Sequence, residues 1–173
     1  MTQVPASSWN LPKRKGFYYI AMTDKRVLQI GKIVLRLCLS FAFLSAIADR
    51  FGVYGRHGTS GISWGDWTHF LQFVGYLIKI APHAIIPAIG VIETIIEFVL
   101  AGALLLGVYP RVVAWLSAAL LTSFAVTMSI ALGIPATLGY GVFTAISAAL
   151  LLGAVANPRS IWDPLSLENT SEA

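Results

Sequence analysis

The sequence predicts an all-α protein, an integral membrane four-helix bundle with a longer external segment between helices one and two. Composition is the first reason: 57% of residues are hydrophobic and 12% charged, where a soluble domain carries about 25% charged residues. Charge distribution is the second. The charges gather before residue 27, from Asp49 to Lys79, and after Arg159, and between Lys79 and Arg159 only Glu93, Glu97 and Arg111 occur. The third is the recurrence of apolar runs near the ~20 residues that cross a bilayer, separated by glycine and proline.

Residues 1–26 read as a polar cytoplasmic arm, with Phe17-Tyr18-Tyr19 and Lys25-Arg26 suited to the headgroup level. A four-helix domain over residues 27–156 follows, then a polar cytoplasmic tail over 157–173. The first span is expected from about Val27 to Ala48. Its Ala46-Ile47-Ala48 has the form of a signal-cleavage site, but the preceding stretch is too long and too basic, with Lys32 and Arg36 inside it. The connection over 49–82 holds Phe70 to Ile80, apolar but too short to cross and carrying Lys79. It reads as an interfacial or re-entrant helix. Spans two to four are expected over His83–Gly107, Arg111–Gly133 and Pro135–Ala156, with turns at Tyr109-Pro110 and Gly133-Ile134. Ala114 and Ala118, and Ala145, Ala149 and Gly153, recur at four-residue spacing, which lets helix backbones approach closely in lipid.

Placing the N-terminus inside gives that face Lys13, Arg14, Lys15, Lys25, Arg26, Arg111 and Arg159, and leaves Arg50, Arg56 and Lys79 outside. That bias predicts both termini in the cytoplasm of a multi-pass inner-membrane protein. The net charge of +4 is thereby a topology signal; no basic face interleaved with aromatics points to nucleic acid. Cys38 stands alone, which excludes a disulfide or dithiol relay within the chain. His57, His69 and His83 show no metal-ligand spacing.

Ionisable groups deep in a span are expensive unless they are paired or face water. Counting inward from Val27 and Gly107 at 1.5 Å per residue places Arg36 and Glu97 at matching depths of about 14 and 15 Å. An Arg36–Glu97 pair is therefore expected. Glu93 lies one turn away on the same face. Lacking a cation of its own, it is expected to hold its proton. A proton-exchanging carboxyl beside a fixed ion pair would suit a quinone; a structural ion pair locking helix register is the alternative. Pro87 is the helix interruption expected near these acids, and Trp64 and Trp67 are expected as interface anchors.

The string Ser45-Ala46-Ile47-Ala48-Asp49-Arg50-Phe51-Gly52, then Gly55 and Ser63-Trp64-Gly65-Asp66-Trp67, resembles the DoxX-like family of small four-span membrane proteins. Arg36, and Glu97 followed by Ala101-Gly102-Ala103-Leu104-Leu105-Leu106-Gly107 and Arg111, extend the resemblance over roughly residues 27–155. The resemblance implies a subunit of a quinone-linked membrane redox complex, with a soluble redox protein as partner and an open oligomeric state. Some relatives are instead membrane chaperones or cargo receptors, which makes a non-catalytic scaffold the second expectation. The candidate residues are Arg36, Glu93 and Glu97 within the spans, and Asp49, Arg50, Trp64, Asp66 and Trp67 in the external segment.

Overall fold

A computed structural model describes the backbone of residues 15–156 and the side chains of residues 25–156. The cationic Lys13, Arg14 and Arg159 of the expected cytoplasmic segments lie outside those residues. The chain divides into two compact units, Met1–Gly31 and Lys32–Ala173. Where it is described, the first is helical throughout. The first helix, α1, runs over Lys15–Arg50, so it begins well before the expected Val27. Nothing in Lys15–Arg26 breaks a helix: the stretch holds one glycine, Gly16, and no proline.

In the second unit, α2 covers Trp67–Leu77. Its 11 residues reach about 16 Å, too short to cross, as the sequence suggested. Asp66 starts it by accepting the His69 backbone N–H at 2.9 Å, a side-chain N-cap. A single 3-10 turn, His83–Ile85, leads into α3, Ile86–Leu106. Pro87 sits in the first turn of α3, where its missing N–H has no helical partner to lose. It therefore begins the helix and does not interrupt it. Gly107, at φ 75°, ends α3, and its N–H returns to the carbonyls of Ala103 and Leu104. Pro110 then opens α4, Pro110–Leu132.

The expected fourth span is not one helix. It divides into α5, Ile134–Gly139, and α6, Val142–Val155. Gly141, at φ 68°, adopts the left-handed backbone open to glycine, and the helix stops and restarts there. The break, not Pro87, is the interruption that borders the acidic site.

The core gathers Leu39 and Phe43 of α1, Leu100 and Leu104 of α3, Ala114, Ala118 and Leu121 of α4, and Ala149 and Leu152 of α6. α4 and α6 pack broadly against each other, and the small residues explain it. Ala114, Ala118, Ala149 and Gly153 are all buried. A Cβ on Gly153 would press to 3.0 Å from the Trp115 indole nitrogen. A second cluster seats Phe70 and Val74 of α2 on Ile86 of α3.

Outward faces are apolar as well. Ile92, Phe98, Leu106, Leu116 and Ile130 are all more than half exposed. Three helical stretches, Lys25–Arg50, His83–Leu106 and Pro110–Leu132, are long and apolar enough to cross a membrane.

Candidate functional site

α1 and α3 run antiparallel within the second unit, and polar side chains tie them together at three levels. At one end Arg36 reaches the last turn of α3, Nε donating to the Leu104 carbonyl at 2.9 Å and Nη2 to that of Leu105 at 3.2 Å. In the middle, Ser40 Oγ donates to the Ala101 carbonyl at 2.8 Å. At the other end Arg50 meets the acids.

The expected Arg36–Glu97 pair is thus replaced by Arg50–Glu97. The error lay in the reference point. Val27 is not level with Gly107: the contacts of Arg36 with Leu104 and Leu105, and of Ser40 with Ala101, put Gly107 level with a residue several positions after Val27, which sets Arg36 beside Leu104 and not beside Glu97. At that level lie the final carbonyls of α3, which lack i+4 helical donors; Leu104 otherwise takes only the Gly107 N–H at 3.2 Å. A guanidinium satisfies them and opposes the negative end of the helix dipole. Gly107 makes room, since a Cβ there would collide with the Arg36 guanidinium.

Arg50 closes α1. Its side chain is 2% exposed. Nη1 donates to Thr94 Oγ1 at 2.8 Å and lies 2.7 Å from Glu97 Oε2, while Nη2 donates to Glu93 Oε1 at 3.2 Å. The Glu97 contact is an ion pair by distance without the angle of a hydrogen bond, so buried Glu97 Oε2 has no hydrogen-bond partner beyond it; Arg50 Nε, buried too, has none. The Thr94 hydroxyl itself donates to the Gly90 carbonyl at 2.8 Å. Phe70 of α2 packs its ring centroid 4.1 Å from Arg50 Cζ, and Trp64 lies at 5.3 Å, both within cation–π range. Contrary to expectation, Glu93 has a cation, shared with Glu97. Two carboxyls divide one guanidinium.

The neighbouring Asp49 organises the connection. Its carboxylate accepts the backbone N–H groups of Ser63, Trp64 and Gly65 at 3.0, 3.1 and 3.2 Å. This folds the loop onto the end of α1. Gly65, at φ 70°, permits the fold, because a Cβ would strike the backbone of Arg56 and His57. Trp67 stacks on Phe51 at 5.7 Å and tilts against Phe70 at 5.1 Å. Trp64 meets Phe70 edge-on at 5.4 Å. Both tryptophans therefore belong to one aromatic cluster, whose Trp64 and Phe70 rings lie against Arg50. Asp66 also binds the His69 ring at 2.7 Å. The His69 backbone bond first, and this ring bond second, hold the Asp66 carboxyl below the usual carboxylate range. His69 in turn stacks on His57 at 3.7 Å. Among the described residues no three His, Cys, Asp or Glu side chains are grouped to hold a metal ion.

Beside the acids lies a cavity of about 490 Å³. Arg50, Glu93 and Glu97 are its charged lining residues. Leu39 and Phe43 of α1, Phe73 and Val74 of α2, Phe124 and Met128 of α4, and Tyr140 and Gly141 at the α5–α6 break supply much of the rest. Ser123 and Thr127 line it too, but their hydroxyls donate to carbonyls within α4. The size suits a small molecule, and the mostly apolar wall with a few polar groups at one place is the usual make-up of a ligand site.

The sequence-derived residues thus separate. Glu93 and Glu97 line the cavity, with Arg50 from the external motif replacing Arg36. Asp49, Trp64, Asp66 and Trp67 build the loop that covers Arg50. Thr94, Phe70 and Tyr140 were not anticipated. Thr94, one residue from Glu93, was the most accessible to sequence reasoning; the other two depend on how α2 and the helix break fold inward. The chain matches no protein-family model, no curated protein and no solved structure in comparison with known proteins.

Proposed function

We propose that this chain is a four-span, multi-pass membrane protein of DoxX-like type whose cavity holds a quinone, serving as a subunit of a quinone-linked redox complex. The observation that carries the reading is the cavity's polar end, where two carboxyls share one arginine beside an otherwise apolar wall. One carboxyl beyond what Arg50 neutralises is a group able to exchange a proton with a quinone head, while the apolar remainder accommodates ring and tail. Apolar outer faces and three helices of crossing length support insertion in a bilayer. With α5 and α6 together completing a fourth crossing, both termini lie in the cytoplasm of an inner-membrane protein. Burial of Arg50 in ion pairs strengthens the cationic bias behind that orientation, leaving Arg56 and Lys79, among the described residues, as the cations of the opposite face outside ion pairs.

Organic extraction of the protein purified from its native membrane, followed by chromatographic assay, should yield quinone. The stripped protein should rebind decylubiquinone, and Glu93→Gln should weaken that binding. Protein that carries no quinone and binds none contradicts the reading.

The scaffold reading has its own support in Asp49, which holds the loop as a fixed surface through three backbone hydrogen bonds. Under that reading, Asp49→Ala abolishes partner capture while cavity variants leave it intact.

A further inference from the structure

The surplus carboxyl at the polar end can be neutralised in two ways, by a proton or by a cationic ligand. We infer that the cavity also binds lipophilic amines, with the ammonium group seated against Glu93 and Glu97. The inference rests on the cavity being a ligand site, as the quinone reading does, but not on the ligand being a quinone.

The charge count comes first. Arg50, Glu93 and Glu97 are the charged groups that line the cavity, a formal balance of one negative charge when both acids are ionised. The nearby Asp49 cannot supply the missing positive charge, and its carboxylate is already occupied by the N–H groups of Ser63, Trp64 and Gly65. Lys79 stands over the Tyr76 ring at 4.7 Å, and neither residue lines the cavity. A quinone brings no charge to this balance. An ammonium completes it.

Unused hydrogen-bonding capacity is the second observation. The Glu97 side chain is 3% exposed and lines the cavity, and its Oε2 is engaged only by the Arg50 Nη1 ion contact at 2.7 Å, with no further donor. The Glu93 side chain, at 18% exposed, is the more accessible of the two, and it engages Arg50 through Oε1 alone. A protonated amine supplies N–H donors to these oxygens, and charge-assisted bonds of that kind are about twice as strong as neutral ones.

The wall chemistry agrees. Phe73, Phe124 and Tyr140 line the cavity, and none of these rings is engaged by Arg50, which packs on Phe70 and Trp64. Aromatic faces attract cations, and the attraction grows when the cation is desolvated. Most of the remaining lining, including Leu39, Val74, Ile92 and Leu121, is apolar and suits an apolar body attached to the amine.

The test measures calorimetric binding of two probes to the full chain in zwitterionic nanodiscs, with protein-free nanodiscs subtracted. One probe is N,N-dimethyl-phenylbutylamine and the other the uncharged phenylbutanol. The amine should bind at least about tenfold more tightly than the alcohol, a difference typical of one charge-assisted contact. It should also displace decylubiquinone. Glu93→Gln balances the remaining charges and should remove the preference, whereas Arg36→Leu, outside the cavity, should preserve it. Equal binding of amine and alcohol, or a preference that survives both Glu93→Gln and Glu97→Gln, overturns the inference. If decylubiquinone binds and the amine does not, the amine inference alone fails. If no probe binds, the cavity is not a ligand site and the quinone reading fails with it.

Discussion

Arg36 and Arg50 both leave α1 and both reach α3, but they meet different chemistry. Arg36 ends on two backbone carbonyls in the last turn of α3, groups that any helix end leaves without their i+4 donors. Arg50 ends on two carboxyls and a threonine, under an aromatic cover and beside a cavity. The first contact satisfies a need created by the fold itself. The second creates a need, since it buries more acid than base, and a ligand or a proton can meet it. The comparison separates an arginine that closes a helix from one that holds a site.

The largest expected effect is at Arg50. Arg50→Leu leaves Glu93 and Glu97 together without a cation, and stranding one side of a buried pair typically costs about 3–5 kcal/mol. Thermal unfolding in detergent should register that loss, and replacing both acids by Gln in the same background should recover much of it. A loss smaller than that of Arg36→Leu would break the comparison.

Arg36→Leu should cost less, about 2 kcal/mol, in the range of hydrogen bonds to charged groups. Its damage should concentrate at the α3–α4 turn, visible as faster amide exchange at Gly107 and Val108. Amide exchange unchanged there, with a loss near the Glu97 turn, would mean that Arg36 serves the acids after all.

Glu93→Gln sharpens the comparison from the other side. It removes the carboxyl that Arg50 cannot fully neutralise and leaves a one-to-one pair, so unfolding temperature should hold or rise. A large loss would make Glu93 a structural partner and remove the surplus on which ligand binding depends.

The smallest effect concerns the loop above Arg50. The folded Asp66 carboxyl is held below its ordinary range, so its contribution is complete above the unfolded value near pH 4 and fades as pH falls through the folded value. Amide exchange at His69 and Phe70 should be faster in Asp66→Asn than in the parent at neutral pH. The two should converge well below pH 4. A gap that persists in strong acid would show that the carboxylate charge is not what caps α2.

Much of the fold was legible in the sequence, and the misses have specific causes. Spans two and three ended where glycine and proline marked them, at Gly107, Pro110 and Gly133. The short α2 followed from length alone. The start of α1 was not legible, because residues 15–26 mix charged residues with Phe17, Tyr18, Tyr19, Ile20 and Met22, a composition that argues against a span without arguing against helix. The wrong pairing came from setting Val27 level with Gly107, when the α1 residue at that level lies several positions later and Arg36 is shallower than counted. Gly139-Tyr140-Gly141 was a visible break signal overlooked inside an apolar run. Glu93 and Glu97 were identified as the unusual charges, since the cost of a buried acid needs no register. Their partner did need one. Arg50 looked like a loop residue, and only the fold of Ser63–Gly65 onto Asp49 turns that helix end into an interior.

The most direct measurement is a pair of double-mutant cycles on unfolding free energy, one joining Arg50→Leu with Glu97→Gln and the other joining Arg36→Leu with Glu97→Gln. Residues in one ion-pair network couple by about 0.5–3 kcal/mol, while independent sites add within about 0.5 kcal/mol. Arg50 and Glu97 should couple by about 1 kcal/mol or more, with the double variant more stable than the sum of single losses implies, and Arg36 and Glu97 should be additive. Strong coupling in the Arg36 cycle with additivity in the Arg50 cycle would contradict the account.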